Sequence, residues 1–227
     1  LGKRESVTHV AKNLNRWVDG IIARVYDHST LVNFTKNTNI NIINALSDLE
    51  HPCQALADIY TIYKKYGKLN DINFCYVGDG NNIASSLSLI CGHLGLNFTY
   101  SSPSKYQIPT MIFNQAKNLS QRQESVMKWE ENPNLAVNNA DIIYTDKWVS
   151  MGMEEEEEIR IKDFANYQVN NKLISSAKNE VYIMHDMPAK EGEEIEAGIL
   201  DSPISLAYEQ AENRMHSQTA LLYKLYQ

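Results

Sequence analysis

Ile72-Asn73-Phe74-Cys75-Tyr76-Val77, running into Gly78-Asp79-Gly80-Asn81-Asn82, decides the fold. The first part carries no charge and is rich in aromatic and β-branched residues, the composition of a strand buried on both faces. Its glycine-rich continuation turns the chain. Beyond it Ile83, Leu87, Ile90, Cys91 and Leu94 recur at helical spacing until Gly95 stops them. Strand, turn and helix in that order form the repeating unit of a parallel sheet, whose crossover helices cover its faces.

The same alternation extends both ways. Upstream, Ser6 is read as the cap of a helix with an apolar stripe of Val7, Val10, Leu14, Trp17 and Val18, stopped at Asp19-Gly20. Residues 21–26 read as a strand, 31–36 as a short helix and 40–44 as a second strand, which ends in the polar Ser47-Asp48. Pro52, with its φ preset and no N–H to lose, suits the first position of a helix that carries Leu56, Ile59, Tyr60 and Tyr63 and breaks at residues 64–68. Downstream, strands are expected at 96–100, 125–129, 141–145 and 181–184, with helices at 111–119 and 134–139 between them. Five glutamates, residues 154–158, open a further helix as a solvated start whose charge favours the dipole. A long helix from about residue 205 closes the chain. The expected fold class is α/β, with two Rossmann-like lobes of parallel sheet flanked by helices. Two strands are too few for a stable covered sheet. The first lobe is therefore expected to be truncated, with further strands upstream of Leu1 or from a partner chain, and the opening on Leu1 rather than Met points the same way.

The 227 residues include 43% hydrophobic side chains, enough for sizeable cores. No apolar run approaches the roughly 20 residues that span a bilayer, and the N-terminus has no signal-peptide core, so no membrane association is expected. A net charge of −7 without a basic face argues against a nucleic-acid partner. Cys53, Cys75 and Cys91 are odd in number and lack CxxC spacing. That predicts reduced thiols in a cytoplasmic setting, no zinc site, and core filling by Cys75 and Cys91.

Ligands of open parallel sheets bind outside the carboxyl ends of the strands. Those ends present Arg24; Asn44 with Ser47 and Asp48; the turn at residues 78–82; Asp146 with Ser150-Met151-Gly152; and His185-Asp186-Met187-Pro188. The helix start at His51-Pro52-Cys53-Gln54 joins them, where free N–H groups and the positive dipole end favour an anion. Arg24 supplies a guanidinium, His51 an imidazole, Gln54 a carboxamide and Asn82 an amide, while Asp146 and Asp186 supply acidity. Such a set suits a small ligand with an anionic group, a polarised carbonyl and a cationic amine. Alone, Arg24 would be a strand-end salt bridge, and Asp146 and Ser150 mere caps; their convergence raises them. Asp48 and Asp58 are expected to hold the helix start at His51 in place. A dinucleotide site at residues 78–83 fails, because the third glycine position is Ile83 and no ribose-binding acid ends the next strand.

Five segments in order resemble the ornithine carbamoyltransferases: His51-Pro52-Cys53-Gln54-Ala55-Leu56-Ala57-Asp58, Val77-Gly78-Asp79-Gly80-Asn81-Asn82, Thr145-Asp146-Lys147-Trp148-Val149-Ser150-Met151-Gly152, Tyr167-Gln168-Val169-Asn170 and Glu212-Asn213-Arg214. The resemblance runs essentially from Leu1 to the last helix. It implies transfer of a carbamoyl group from carbamoyl phosphate to the δ-amine of L-ornithine, giving L-citrulline and phosphate in arginine metabolism, without a metal or organic cofactor. It implies that Arg24 and His51 polarise the carbonyl of carbamoyl phosphate, that Gln54 accepts from its NH₂ group, and that the backbone carbonyls of Asp186 and Met187 hold that NH₂. Arg214 completes this site. Asn82, Asp146, Ser150 and the backbone of Met151 then fix the amino-acid end of ornithine, and the residues carrying the chemistry are Arg24, His51, Asp146 and Asp186. Residues 1–66 become a partial carbamoyl phosphate-binding lobe ending in an interdomain helix, 67–204 an ornithine-binding lobe, and 205–227 a helix returning to the first. The family's trimers imply a homotrimer or an assembly of trimers.

The sequence departs from the family pattern twice. The phosphate-binding Ser-x-Arg-Thr motif is not present and is expected upstream of Leu1. Asp186 stands where the pattern His-Cys-Leu-Pro has cysteine. A carboxylate there pairs with the ornithine ammonium, but a nearby anion raises the amine's pKa and disfavours the nucleophile unless Asp186 takes its proton. Altered pH dependence or substrate choice is the expectation. Two alternatives stay open: a carbamoyltransferase for acetylornithine or putrescine, and a non-catalytic amino-acid-binding or regulatory paralogue.

Overall fold

The computed structural model describes residues 4–150 and 152–227. In chain order, α1 (Val7–Leu14), β1 (Gly20–Arg24), α2 (His28–Asn37), β2 (Asn41–Leu46) and α3 (Pro52–Tyr66) precede β3 (Asn73–Val77) and α4 (Asn82–Leu94). There follow β4 (Asn97–Ser101), α5 (Thr110–Gln121), β5 (Met127–Trp129), α6 (Pro133–Ala136), β6 (Ile142–Thr145), α7 (Glu157–Phe164), α8 (Asn171–Ile174), β7 (Tyr182–His185) and α9 (Ala207–Leu225). β1 and β2 pair in parallel as a two-stranded sheet. The others form a five-stranded parallel sheet in the order β5-β4-β3-β6-β7.

The period of two along each strand divides the core. Phe74, Tyr76, Ile142, Tyr144 and Met184 face α3, α4 and α5, packing with Ile62, Leu87 and Phe113. Cys75, Val77, Ile143 and Ile183 point to the other face, against Val137, Trp148 and Phe164. Both faces are dry, which is why these strands read as apolar runs rather than alternating ones. Each such side chain contributes roughly 1.5–3 kcal/mol on burial. Aromatic stacking links neighbouring strands, with Phe74 and Phe98 centroids 5.7 Å apart. Cys75 and Cys91 are buried core residues, as expected.

The terminal helix α9 lies along α3: Asn213 donates to Thr61 Oγ1 at 2.9 Å, and Lys64 Nζ donates to Asn213 Oδ1 at 3.3 Å. Three local expectations need correction. The first helix ends at Leu14 rather than at residue 19, because Asn15 turns its side chain to accept from the Asn39 backbone N–H at 2.8 Å. Trp17 is consequently 74% exposed. The glutamate run opens with a 3₁₀ turn before α7 begins at Glu157, since no side chain caps the helix start. Finally, α8, capped by Asn170, was not foreseen.

Candidate active site

A cavity of about 640 Å³ lies where β1, β2, β3, β6 and β7 end. It is centred on the switch point of the larger sheet, where β3 is flanked by β4 on one side and β6 on the other. Arg24, His51, Asn82, Asp146, Ser150, Asp186, Met187 and Arg214, all singled out from the sequence, line it together. Met151 lies outside the described residues.

One wall is cationic. Arg24 ends β1 at a shift in register against β2, and Arg214 projects from α9. Neither forms an ion pair among the described residues, which leaves both guanidinium groups free for a ligand. Between them stands His51, the residue preceding α3, whose backbone N–H donates to Ser86 Oγ at 2.8 Å. Its ring makes no cap, and Nδ1 is buried without a partner. Burial, with Arg214 and Arg24 close by, lowers its pKa to about 4. The imidazole is therefore neutral, a donor and acceptor rather than a cation. Gln54 sits one layer deeper. Its Nε2 donates to Asp58 Oδ1 at 2.8 Å, so Oε1 is left buried with no partner and free to accept. Cys53 donates to the Asn44 carbonyl at 3.3 Å, and burial raises its thiol pKa, so it is filler.

The opposite wall is acidic and more heavily braced. Asp146 accepts from Asn81 Nδ2 at 2.7 Å and from the Lys147 backbone N–H at 2.6 Å. Asn81 also caps α4, accepting from Ile83 and Ala84. Asn82 is at the helix start as expected, but its Nδ2 donates to the Ser47 carbonyl at 2.8 Å, tying the start of α4 to the segment after β2. Asp186 lies against Asp146, and the two carboxyls with His185 bring ligand atoms within 4.8 Å of one another. Burial first, and then the charge of Asp146, pushes the Asp186 carboxyl well above the usual range. His185 cannot complete a metal site there: Nδ1 accepts from the Met187 N–H at 3.0 Å and Nε2 meets the buried Glu194 at 3.2 Å. Its work is to hold the 186–188 loop.

Several supports escaped the sequence reading. Arg160 Nη1 donates to Asp79 Oδ2 at 2.8 Å and to the Trp148 carbonyl at 3.0 Å, bracing the segment that carries Ser150. Asp58 holds the helix start as expected by accepting from Gln54, and it also accepts from Gln210 Nε2 at 2.7 Å and from the Tyr144 hydroxyl at 3.2 Å. Burial raises its pKa to about 7 against those donors. Asp48 caps a different helix, accepting from the His28 N–H at 2.9 Å. Gly80 owes its identity to packing, since a Cβ there would lie 2.2 Å from the Ile108 backbone nitrogen. The space a pyrophosphate would need is filled by that loop.

Residues 70–225 match the aspartate/ornithine carbamoyltransferase Asp/Orn binding domain, and residues 1–64 match the carbamoyl-P binding domain of the same family. The ornithine carbamoyltransferase of Methanobrevibacter smithii is 42% identical over 223 residues, 98% of this chain and 74% of the relative. That of Oceanobacillus iheyensis is 41% identical over 99% of this chain and 70% of its own length. The structure of the Pyrococcus furiosus ornithine carbamoyltransferase superposes with a TM-score of 0.94 at 41% identity, over 98% of this chain and 71% of that one. Profile matches over both lobes and relatives above 40% identity place the chain in the aspartate/ornithine carbamoyltransferase family.

Proposed function

We propose that this protein is an ornithine carbamoyltransferase, moving the carbamoyl group of carbamoyl phosphate to the δ-amine of L-ornithine to give L-citrulline and phosphate. One observation carries the reading: two unpaired guanidinium groups and a neutral imidazole face a pair of carboxyls across a single cleft. An anionic carbonyl donor and a cationic amine acceptor are each met by the opposite charge, and the cleft places them side by side.

Arg24 and Arg214 take the phosphoryl and carbonyl oxygens. His51, uncharged, donates to the carbonyl oxygen as negative charge develops there. Gln54 Oε1 and the backbone carbonyls of Asp186 and Met187 accept from the carbamoyl NH₂. Asn82, Asp146, Ser150 and Met151 orient the amino acid. Residues 1–66 form the carbamoyl phosphate lobe and 67–204 the ornithine lobe, with 205–227 returning to the first. Buried free thiols at Cys53, Cys75 and Cys91 fit a reducing, cytoplasmic setting, and no helix among the described residues is long and apolar enough to cross a membrane. The assembly is a homotrimer or a multiple of it.

The test is a citrulline assay with carbamoyl phosphate and L-ornithine, run beside N-acetylornithine and putrescine. Ornithine is expected to be used best, because Asp146 faces an α-ammonium that acetylation or its absence removes. Acetylornithine transcarbamylase shares the fold at 23% identity with a TM-score of 0.87, so fold alone does not select the amine. Preference for either competitor would overturn the assignment of ornithine.

A further inference from the structure

A buried polar node joins α3, α9, β6 and β7, and Asp58 is its centre. Asp58 is 0% exposed. Its Oδ1 lies 2.8 Å from Gln54 Nε2 and 2.7 Å from Gln210 Nε2, and its Oδ2 lies 3.2 Å from the Tyr144 hydroxyl. Gln210 continues to the end of β7, where its Oε1 accepts from the His185 backbone N–H at 3.0 Å. That last bond fixes the others. A backbone N–H can only donate, so the oxygen of Gln210 faces His185 and its NH₂ group faces Asp58. Oδ1 is therefore an acceptor, and it receives the NH₂ end of Gln54 as well, whether or not Oδ2 carries a proton. Gln54 Oε1 is left buried with no donor, although every other polar atom in this chain of bonds has a partner. A buried carbonyl oxygen held in that state is one kept for a ligand.

We propose that Asp58 is a positioning residue that makes the site selective for carbamoyl phosphate over acyl phosphates with a methyl group in place of NH₂. This deepens the carbamoyltransferase reading and rests on it. In that reading Gln54 Oε1 accepts from the carbamoyl NH₂ group on one side, and the backbone carbonyls of Asp186 and Met187 accept from it on the other. Asp58 touches neither the substrate nor those carbonyls. It acts on the first acceptor by holding Gln54 Nε2, and on the second through Gln210, which pins the backbone at His185 where the 186–188 loop begins. One buried carboxyl thus sets acceptors from both lobes around a single NH₂ group. Without it the Gln54 amide can turn over and present Nε2, a donor facing a donor. A methyl group asks nothing of either acceptor, so a methyl-bearing ligand is indifferent to the change.

Two stable ligands separate this role from ordinary structural support: phosphonoacetamide, which carries NH₂ on its carbonyl carbon, and acetonylphosphonate, of the same shape with methyl there. Calorimetric titration of the wild type is expected to find the amide tighter by about 10²-fold, roughly tenfold for each N–H that gains an acceptor. In Asp58→Leu, close in size but with no acceptor, phosphonoacetamide is expected to weaken about tenfold or more while acetonylphosphonate stays within about twofold. Asp58→Asn can keep Oδ1 as acceptor and turn Nδ2 to the Tyr144 hydroxyl, so it is expected to recover most of the ratio. If Asp58→Leu does not fold, Gln210→Met removes the arm to His185 alone and is expected to shrink the ratio about threefold. Equal affinity of the two ligands in the wild type, equal weakening of both in Asp58→Leu, a ratio in Asp58→Asn no better than in Asp58→Leu, or an unchanged ratio in Gln210→Met overturns this inference alone. A wild type that binds neither phosphonate overturns the carbamoyl phosphate site, and the inference with it.

Discussion

The two walls of the cleft reach opposite charge by opposite construction. On the first-lobe side, Arg24 and Arg214 stand free of ion pairs, and the group between them, His51, is buried and uncharged. On the second-lobe side the acidic groups sit on a braced frame: Asp146 is held by α4 and its own loop, Asp186 lies beside it, and the carrier loops are held by Arg160 and Glu194. The cationic wall is left unsatisfied until a ligand arrives. The acidic wall is braced beforehand at Asp146, while Asp186 Oδ1 is buried without a partner. A mobile anionic cosubstrate and a soft, protonatable amine would call for that difference, since guanidinium groups hold their charge at any pH whereas carboxyls can pass protons.

The comparison breaks most sharply at Arg24. Replacement by alanine removes a fixed charge aimed at developing negative charge, and is expected to lower kcat/KM for carbamoyl phosphate about 10²–10³-fold. Steady-state kinetics with ornithine saturating measures it. Arg24→Lys should recover part of the loss, because an ammonium keeps the charge without the planar fork. A loss below about tenfold would return Arg24 to an ordinary strand-end charge.

The scaffold behind the acidic wall gives the next largest effect, and on stability rather than rate. Arg160 and Asp79 are 6% and 8% exposed, and truncating the arginine to methionine strands a buried carboxylate. Removing one member of a buried pair costs about 3–5 kcal/mol, read as a lower urea midpoint with unchanged slope. Asp79 already titrates near 6, raised by burial against the pull of Arg160. Without Arg160 its pKa rises further, so the variant's deficit is largest at alkaline pH and shrinks as pH falls and the carboxyl protonates. Asp79→Leu added to Arg160→Met should recover most of the loss.

These two sites also mark what the sequence makes legible. Arg24, His51, Asp146 and Asp186 could be found because each sits at a strand end or helix start, and in a parallel sheet those positions converge. The strands themselves stand out because Phe74, Tyr76 and Tyr144 leave no polar face to confuse the pattern. Arg160 was invisible for the opposite reason. It lies in a glutamate-rich segment that reads as solvent-facing, and its partner Asp79 is 81 positions away. Nothing local tells a buried arginine from an exposed one. The same holds for Asp58, whose partners Tyr144 and Gln210 lie on other elements. Its helix carried the one signal available: Asp58 falls on the face with Ala55, Ile59 and Ile62, where a carboxylate needs a reason. The upward shift of the Asp186 pKa was likewise beyond the sequence, because it depends on burial and on how closely Asp146 approaches.

Asp146→Asn tests the braced wall directly, with an expected rise of about 10²-fold in KM for ornithine and a smaller change in KM for carbamoyl phosphate. The amide must give up one of the two N–H donors it receives, from Asn81 or from Lys147, so α4 loses part of its anchorage as well. An equal effect on both substrates would mean that the two walls are coupled through the Asn82–Ser47 bond rather than independent.

The smallest effect is an expected absence, and it concerns the cationic wall. With its pKa lowered to about 4 by burial, Arg214 and Arg24, His51 keeps one form across the neutral range. No limb of the kcat/KM profile between about pH 5.5 and about pH 8 should then belong to it, and His51→Asn should leave the shape of that profile unchanged while lowering its height. Imidazole chemical shifts in the ligand-free protein should move only near pH 4. Stability carries the same signature with a defined sign. The unfolded chain takes up a proton near the ordinary histidine value of 6.5 that the folded site refuses until about 4. Stability is therefore fully present above 6.5 and is withdrawn as pH falls towards 4. A His51 signal titrating near 6.5 would place an imidazolium between the two arginines, and the wall would then hold three fixed charges instead of two charges and a switchless donor.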